Sequence, residues 1–204
     1  MMYVPKHFEP PNAESIHGLI RDYPLATLVV NTDSGLCANH IPMIIDQTAT
    51  GQLRLHGHIA RANSLSQREV QEEALAIFQG PNAYISPNWY ATKKQHGKVV
   101  PTWNYSTVHA TGQLRIIDDP EWVMDLITRL TNKEEADQPT PWAVTDAPVE
   151  FTEGLLSAIV GVELAVTQLT GKWKVSQNQP KENHDGVRLG LLSTSNPNAD
   201  RLIG

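Results

Sequence analysis

Thiols are almost absent from this chain: Cys37 is the only cysteine in 204 residues, so an intrachain disulfide and a thiolate zinc cage are both excluded. A lone cysteine of this kind reads as a small apolar side chain. Long apolar runs are missing too. No stretch approaches the ~18 residues of a membrane span, and the opening Met1-Met2-Tyr3-Val4-Pro5-Lys6-His7 lacks a signal-peptide core. A cytoplasmic protein without membrane contact is expected. Basic charge is in deficit, with 16 Lys and Arg against 22 Asp and Glu, a formal net charge of -6 and a pI near 5.7. That balance, together with the lack of a helix-turn-helix signature, does not support direct DNA contact. The rest is ordinary for a soluble globular protein: 40% apolar and 19% charged. The length suits one core, so residues 1–204 are expected to form a single domain, with 179–204 a peripheral C-terminal segment.

Aromatic residues are scarce at 6%, yet they crowd into residues 81–112, which hold Tyr84, Trp89, Tyr90, Trp103 and Tyr105 beside Lys93, Lys94, His96 and His109. Alternation predicts two strands here, one around residues 83–86 and one over 99–109 with Val100, Thr102, Asn104, Ser106 and Val108 on one face. Residues 93–98 between them are polar and contain Gly97, which suits an exposed connection. Such a surface could stack a flat ligand and hold an anion; equally, Trp and Tyr are good strand formers that fill cores.

Along the chain, Asn12 is expected to cap a helix running to Asp22 or Tyr23, since Ile16, Leu19, Ile20 and Tyr23 recur at helical spacing. A hairpin should follow, with strands over 25–31 and 36–45, and then a strand over 52–59. A helix is expected over 65–78 from Leu65, Val70, Ala74, Ile77 and Phe78, with Ser64 as its cap. The strand after 99 should bend at Gly112. Asp119-Pro120-Glu121 is a strong helix start ahead of the Trp122, Val123, Leu126, Ile127, Leu130 stripe. Residues 132–149 read as a loop, 152–159 as a short helix, and 160–169 as a strand ending in a bend at Thr170-Gly171. Residues 181–190 are a candidate last helix weakened by Gly186, and 193–204 a loose tail.

Period-2 geometry puts His56 and His58 on one strand face, where with His40 they could ligate a metal, although no carboxylate is suitably spaced in that strand. A polar face lining a pocket is the simpler account, and no metal site is expected. No general acid or base stands out, though His56, His58 and His109 are eligible.

Several segments, in order, resemble one family. They are Met2-Tyr3-Val4-Pro5-Lys6-His7-Phe8, Leu55-His56-Gly57-His58-Ile59-Ala60-Arg61-Ala62-Asn63, Gly80-Pro81-Asn82-Ala83-Tyr84-Ile85-Ser86-Pro87-Asn88-Trp89-Tyr90, Val100-Pro101-Thr102-Trp103-Asn104-Tyr105, Val108-His109-Ala110-Thr111-Gly112 and Lys172-Trp173-Lys174-Val175-Ser176-Gln177-Asn178. Together they are similar to the PaiB family of FMN-binding negative transcriptional regulators. The resemblance implies a mainly β chain with inserted helices, a split β-barrel of the flavin-reductase and pyridoxamine-phosphate-oxidase type, working as a homodimer with FMN as cofactor. FMN has a dianionic phosphate, a polar ribityl chain and a flat tricycle. Its phosphate suits Arg61, Ser64 and Lys93, its tricycle suits Trp103, Asn104, Tyr105 and His56, and Lys174, Ser176, Gln177 and Asn178 could complete the site. Three other readings stay open. One is a flavin-dependent oxidoreductase. Another is a haem-binding or haem-degrading split-barrel protein using His7, His40, His96 or His184, and the third is a cofactor-free interaction protein.

Overall fold

A computed structural model describes residues 2–33, 35–67 and 73–203. The helices are α1 (Ala13–Asp22), α2 (Lys93–His96), α3 (Pro120–Glu135), α4 (Val149–Ser157) and α5 (Lys181–Leu192). The strands are β1 (Leu25–Thr32), β2 (Gly35–Pro42), β3 (Ile44–Gln47), β4 (Leu53–Ala60), β5 (Glu73–Ile85), β6 (Thr102–Ile117) and β7 (Ile159–Lys174). They form a seven-stranded sheet in the order β2-β1-β5-β6-β7-β4-β3. The chain divides into two compact units, the first holding Met1–Tyr23, Phe78–His109 and Thr170–Gly204, the second Pro24–Ile77 and Ala110–Leu169.

The second unit contains β1 to β4 whole and a stretch of each remaining strand. β1 pairs antiparallel with β2 and β5, and β4 pairs antiparallel with β3 and β7. The strands at the two ends of the order, β2 and β3, are separated in sequence by Met43 alone. One residue spans only about 7 Å between its neighbours' Cα atoms, so the sheet must curl until its edges meet. Gly57 marks the closure, since a Cβ there would lie 2.9 Å from the Pro42 carbonyl oxygen. Residues 36–45, expected as one strand, therefore break at Met43 into two that serve opposite edges. Ala26, Leu28 and Val30 of β1, Leu55 and Ile59 of β4, and Ala110 and Leu114 of β6 are buried at every second position. β7 is buried on both faces from Val160 to Leu164, because α3 lays Trp122 against Gly161, where a Cβ would meet the indole at 2.2 Å.

The first unit has its own core. Ile85, Tyr90, Val187, Leu191, Ala199 and Leu202 pack together, with Trp89 and Val99 at the margin. α1 buries Leu19 and Ile20. Its cap is the expected one: the Asn12 side chain accepts from the Ser15 N–H at 2.8 Å. α5 runs through Gly186 and Gly190 because both are contact points. A Cβ at 186 would lie 1.9 Å from the Trp89 carbonyl oxygen, and one at 190 would lie 2.2 Å from its ring.

Several expectations are corrected. Residues 73–78, expected in a helix, belong to β5, whose Thr27↔Ile77 to Val30↔Ala74 pairing with β1 and alternating burial override the helical spacing. Ser64 begins a short 3-10 turn, Ser64–Gln67, and the expected Val70 contact lies outside the described residues. β6 continues through Gly112 to Ile117 as expected, and a Cβ at Gly112 would lie 2.2 Å from the Ala165 carbonyl oxygen. β7 likewise continues through Gly171 to Lys174. α3 extends to Glu135, into the expected loop, and part of 93–98 is the short helix α2. The last residues are no loose tail, since Ala199 and Leu202 are buried in the first unit's core.

Candidate functional site

In the second unit one set of charged residues is matched, while Arg54 Nε and His58 Nδ1 are buried without a hydrogen-bond partner among the described residues. The buried Glu163 carboxylate of β7 accepts from Arg54 on β4 at 2.8 Å and from Arg115 on β6 at 2.6 Å. His56 lies between two carboxylates, with Nε2 3.1 Å from Glu163 and Nδ1 2.8 Å from Asp46, and its ring meets Trp122 edge-on at 5.2 Å. Asp46 also accepts from Arg129 of α3. Burial pushes the Glu163 carboxyl up. The Arg54 hydrogen bond, the charges of Arg115 and Arg54 and the His56 contact outweigh it and hold the group below the usual carboxylate range. His56, favoured for a ring ligand, is thus occupied by the chain itself. His58, on the same strand, is pushed below the usual histidine range by burial, and His40 on β2 meets the Thr27 hydroxyl at 3.1 Å. Among the described residues no cluster of three or more His, Cys, Asp or Glu is arranged to hold a metal.

Arg61, favoured for a phosphate, forks onto Asp118 at 2.7 and 2.8 Å while its Nε donates to the Ser157 carbonyl at 2.9 Å. Ser64 is exposed at the start of the following turn. Arg61, Ser66, Gln67 and Asp118 border a hollow of about 350 Å³.

The first unit holds the remaining sequence-favoured residues, and two features emerge there. One is an aromatic face. Trp103 and Tyr105, two apart on β6, share a side of the strand. Trp103 is 54% exposed and meets Tyr84, 48% exposed, edge-on at 6.0 Å. The Lys172 ammonium lies 5.6 Å from the ring centres of both Tyr105 and Tyr3. The other is a cleft of about 380 Å³. It gathers Asn104, Lys174, Ser176 and Asn178, all favoured from the sequence, with Thr92, His96, Lys98, Thr102 and Asn183. Asn104 is fully buried and ties two segments, donating to the Leu202 carbonyl and accepting from the Ser176 hydroxyl, both at 3.0 Å. Ser176 is held in the left-handed region at φ 67°. Lys174 donates to the Thr102 hydroxyl at 2.5 Å and the Trp103 carbonyl at 2.7 Å. Burial, then Lys172, lower its pKa.

Two further favoured residues stand outside this lining. Gln177 folds back on its own strand end, accepting from Val175 N–H at 2.8 Å and donating to the Trp173 carbonyl. Lys93, exposed on α2, bonds to Asn88. The sequence did not single out Thr92, Lys98, Thr102 or Asn183 as site residues; only their shared polarity marks them, and the fold alone brings them together.

Solved structures match this fold. The FAD and heme binding protein from Mycobacterium smegmatis aligns with a TM-score of 0.59 at 14% identity, covering 81% of this chain and 73% of that one. The flavocytochrome Anf3 from Azotobacter vinelandii aligns at 0.57 and 12%, covering 84% and 72%. At such identities the likeness concerns the fold alone, and the class is the split β-barrel. The family described as "Putative FMN-binding domain" matches residues 2–168. The Bacillus subtilis "Protease synthase and sporulation protein PAI 2" is 31% identical over 203 residues, 98% of this chain and 94% of that protein. An Emericella nidulans protein, AN0679, is 34% identical over 209 residues, covering 85% and 83%. The chain belongs to the FMN-binding PaiB family, and its cofactor is FMN.

Proposed function

We propose that the protein works as an FMN-binding homodimer and as a PaiB-type negative regulator of gene expression, acting through its flavin rather than by reading DNA. The observation that carries the flavin reading is the open aromatic face of the first unit. Trp103 and Tyr84 leave about half their surface in water, an unusual cost for large aromatics unless something flat covers them. Trp103 and Tyr105 would receive the tricycle, and Lys172, 5.6 Å from the Tyr105 ring centre, would offset negative charge on a ring held there. Asn104, Lys174, Ser176 and Asn178 supply the polar groups of the same unit. A phosphate drawn to Arg61 and Ser64 would have to replace Asp118 at the guanidinium fork. FMN contributes electron-transfer chemistry that the side chains do not possess.

Uncovered apolar surface supports the homodimer. α4 buries none of its residues and exposes Val149, Phe151 and Leu155, and Val100 is 72% exposed. The net charge of -6 favours regulation without a broad phosphate-backbone contact. Among the described residues no helix is long and apolar enough to cross a membrane.

Titrating the flavin-free protein with FMN while its fluorescence is read should give saturable quenching, and light scattering should give twice the chain mass. Absence of quenching would sink the flavin reading, and a monomer mass the homodimer. Specific promoter binding that survives raised salt would contradict the indirect route. Oxidation of reduced nicotinamide by the flavin-loaded protein would mark it as an enzyme instead.

A further inference from the structure

The cleft of the first unit has a chemistry that neither the family description nor the relatives' names assign. Its lining is rich in hydrogen-bond donors and contains no carboxylate. Lys174 uses two of its three N–H groups on Thr102 and Trp103, and no carboxylate pairs with it among the described residues. Because the Thr102 oxygen accepts from Lys174, its own hydrogen is left to donate elsewhere. The His96 Nδ1 accepts from the Lys98 N–H at 3.0 Å, which puts the proton of a neutral ring on Nε2. Lys98 is exposed at the rim. The Asn183 amide spends one hydrogen on Gln179 while its oxygen takes the Thr92 N–H, leaving a second amide hydrogen.

Two features show that the cleft is built rather than incidental. Asn104, Ser176, Asn183 and Thr92 are all buried polar residues, which chains carry only when their hydrogen bonding is arranged. Ser176 also holds a left-handed backbone that a serine adopts at a cost, with its hydroxyl tied to Asn104.

A donor-lined, carboxylate-free cleft around a half-buried ammonium calls for a ligand group rich in acceptors. We propose that it binds a phosphate group. A carboxylate fits less well, because the lining offers no arginine fork for a planar anion, whereas a lysine with hydroxyls and amides around it matches a tetrahedral one. Burial and then Lys172 disfavour the Lys174 cation, whose ammonium lies 5.9 Å from the Phe8 ring centre, and an anion would add to its stabilisation. This site stands on the cleft alone and does not depend on the placement of the flavin ring. Its phosphate can be the one carried by FMN or one on a separate ligand.

The test is calorimetric titration of the flavin-free full chain with inorganic phosphate. Saturable binding is expected, weakened at least about tenfold, or ~1.4 kcal/mol, by Lys174→Met and about threefold by Lys98→Met. Lys133→Met on α3, where the ammonium meets Glu134, should leave it unchanged. Circular dichroism checks that each variant folds, and the exposed Lys98 keeps the test available if Lys174→Met does not. Competition then separates the sources. Phosphate that weakens FMN but not riboflavin identifies the cofactor's own phosphate, while phosphate that binds alongside FMN identifies a second ligand. No saturable phosphate binding, or equal affinity in wild type and both cleft variants, overturns the proposal.

Discussion

The two units differ in how they treat the charges of their polar clusters. The second closes its charges on one another: Glu163 and Asp46 between them take Arg54, Arg115, Arg129 and His56. The first pairs Arg201 with Asp22 and Lys181 with Asp185, yet leaves Lys172, Lys174 and Lys98 without a carboxylate among the described residues, with Lys172 beside the rings of Tyr3 and Tyr105. Matched buried ions hold geometry, because removing one partner strands the other. Donors without a carboxylate partner and open rings instead lower the cost of taking up an anionic ligand, since no carboxylate has to be displaced first.

This contrast can be broken most forcefully at Glu163, whose side chain is only 4% exposed. Glu163→Gln leaves Arg54, Arg115 and His56 facing an amide. It should cost about 1–3 kcal/mol, since Arg115 and Arg54 keep part of their surface in water, read as a drop in the urea midpoint, while no loss would mean that the network is decorative.

Acid probes the same network without mutation. Burial raises the Asp46 pKa, but Arg129 and His56 outweigh it, so Asp46, like Glu163, titrates below the usual carboxylate range when folded. A lowered folded pKa stabilises the protein above the unfolded value and loses that contribution as pH falls through the folded one. Stability should therefore decline below about pH 4, and Glu163→Gln should flatten that decline.

Ser176 in the first unit gives the smallest effect. Ser176→Gly relieves a left-handed backbone worth about 1–2 kcal/mol but removes the hydroxyl that meets Asn104, worth about 1 kcal/mol, so stability should change by less than ~1 kcal/mol. A larger loss would make the Asn104 contact the dominant restraint.

Locally encoded features were legible in the sequence. Asn12 and Asp119 cap α1 and α3 through N–H groups two or three residues away, and the alternation of β1, β4 and β6 requires only one buried face. Features set by distant partners were not. Residues 73–78 carry a helix-like apolar spacing that only pairing with β1 overrides, and the need for glycine at 112 is set by Ala165, a partner distant in sequence. Leu202 is buried because of Asn104 and the Ile85 cluster, which no local pattern announces. The candidate site divides the same way. Asn104, Lys174, Ser176 and Asn178 stand in recognisable motifs, whereas Thr92, Lys98 and Asn183 join them only through the packing of the first unit.

The most direct measurement is a parallel FMN titration of flavin-free wild type, Trp103→Ala and Arg115→Ala, each checked for folding. Loss of the open indole should weaken FMN roughly tenfold, about 1.4 kcal/mol of stacking, while Arg115→Ala, which touches only the matched network, should leave affinity within about twofold. Unchanged affinity in Trp103→Ala, together with a large loss in Arg115→Ala, would contradict the account and move the ligand chemistry to the second unit.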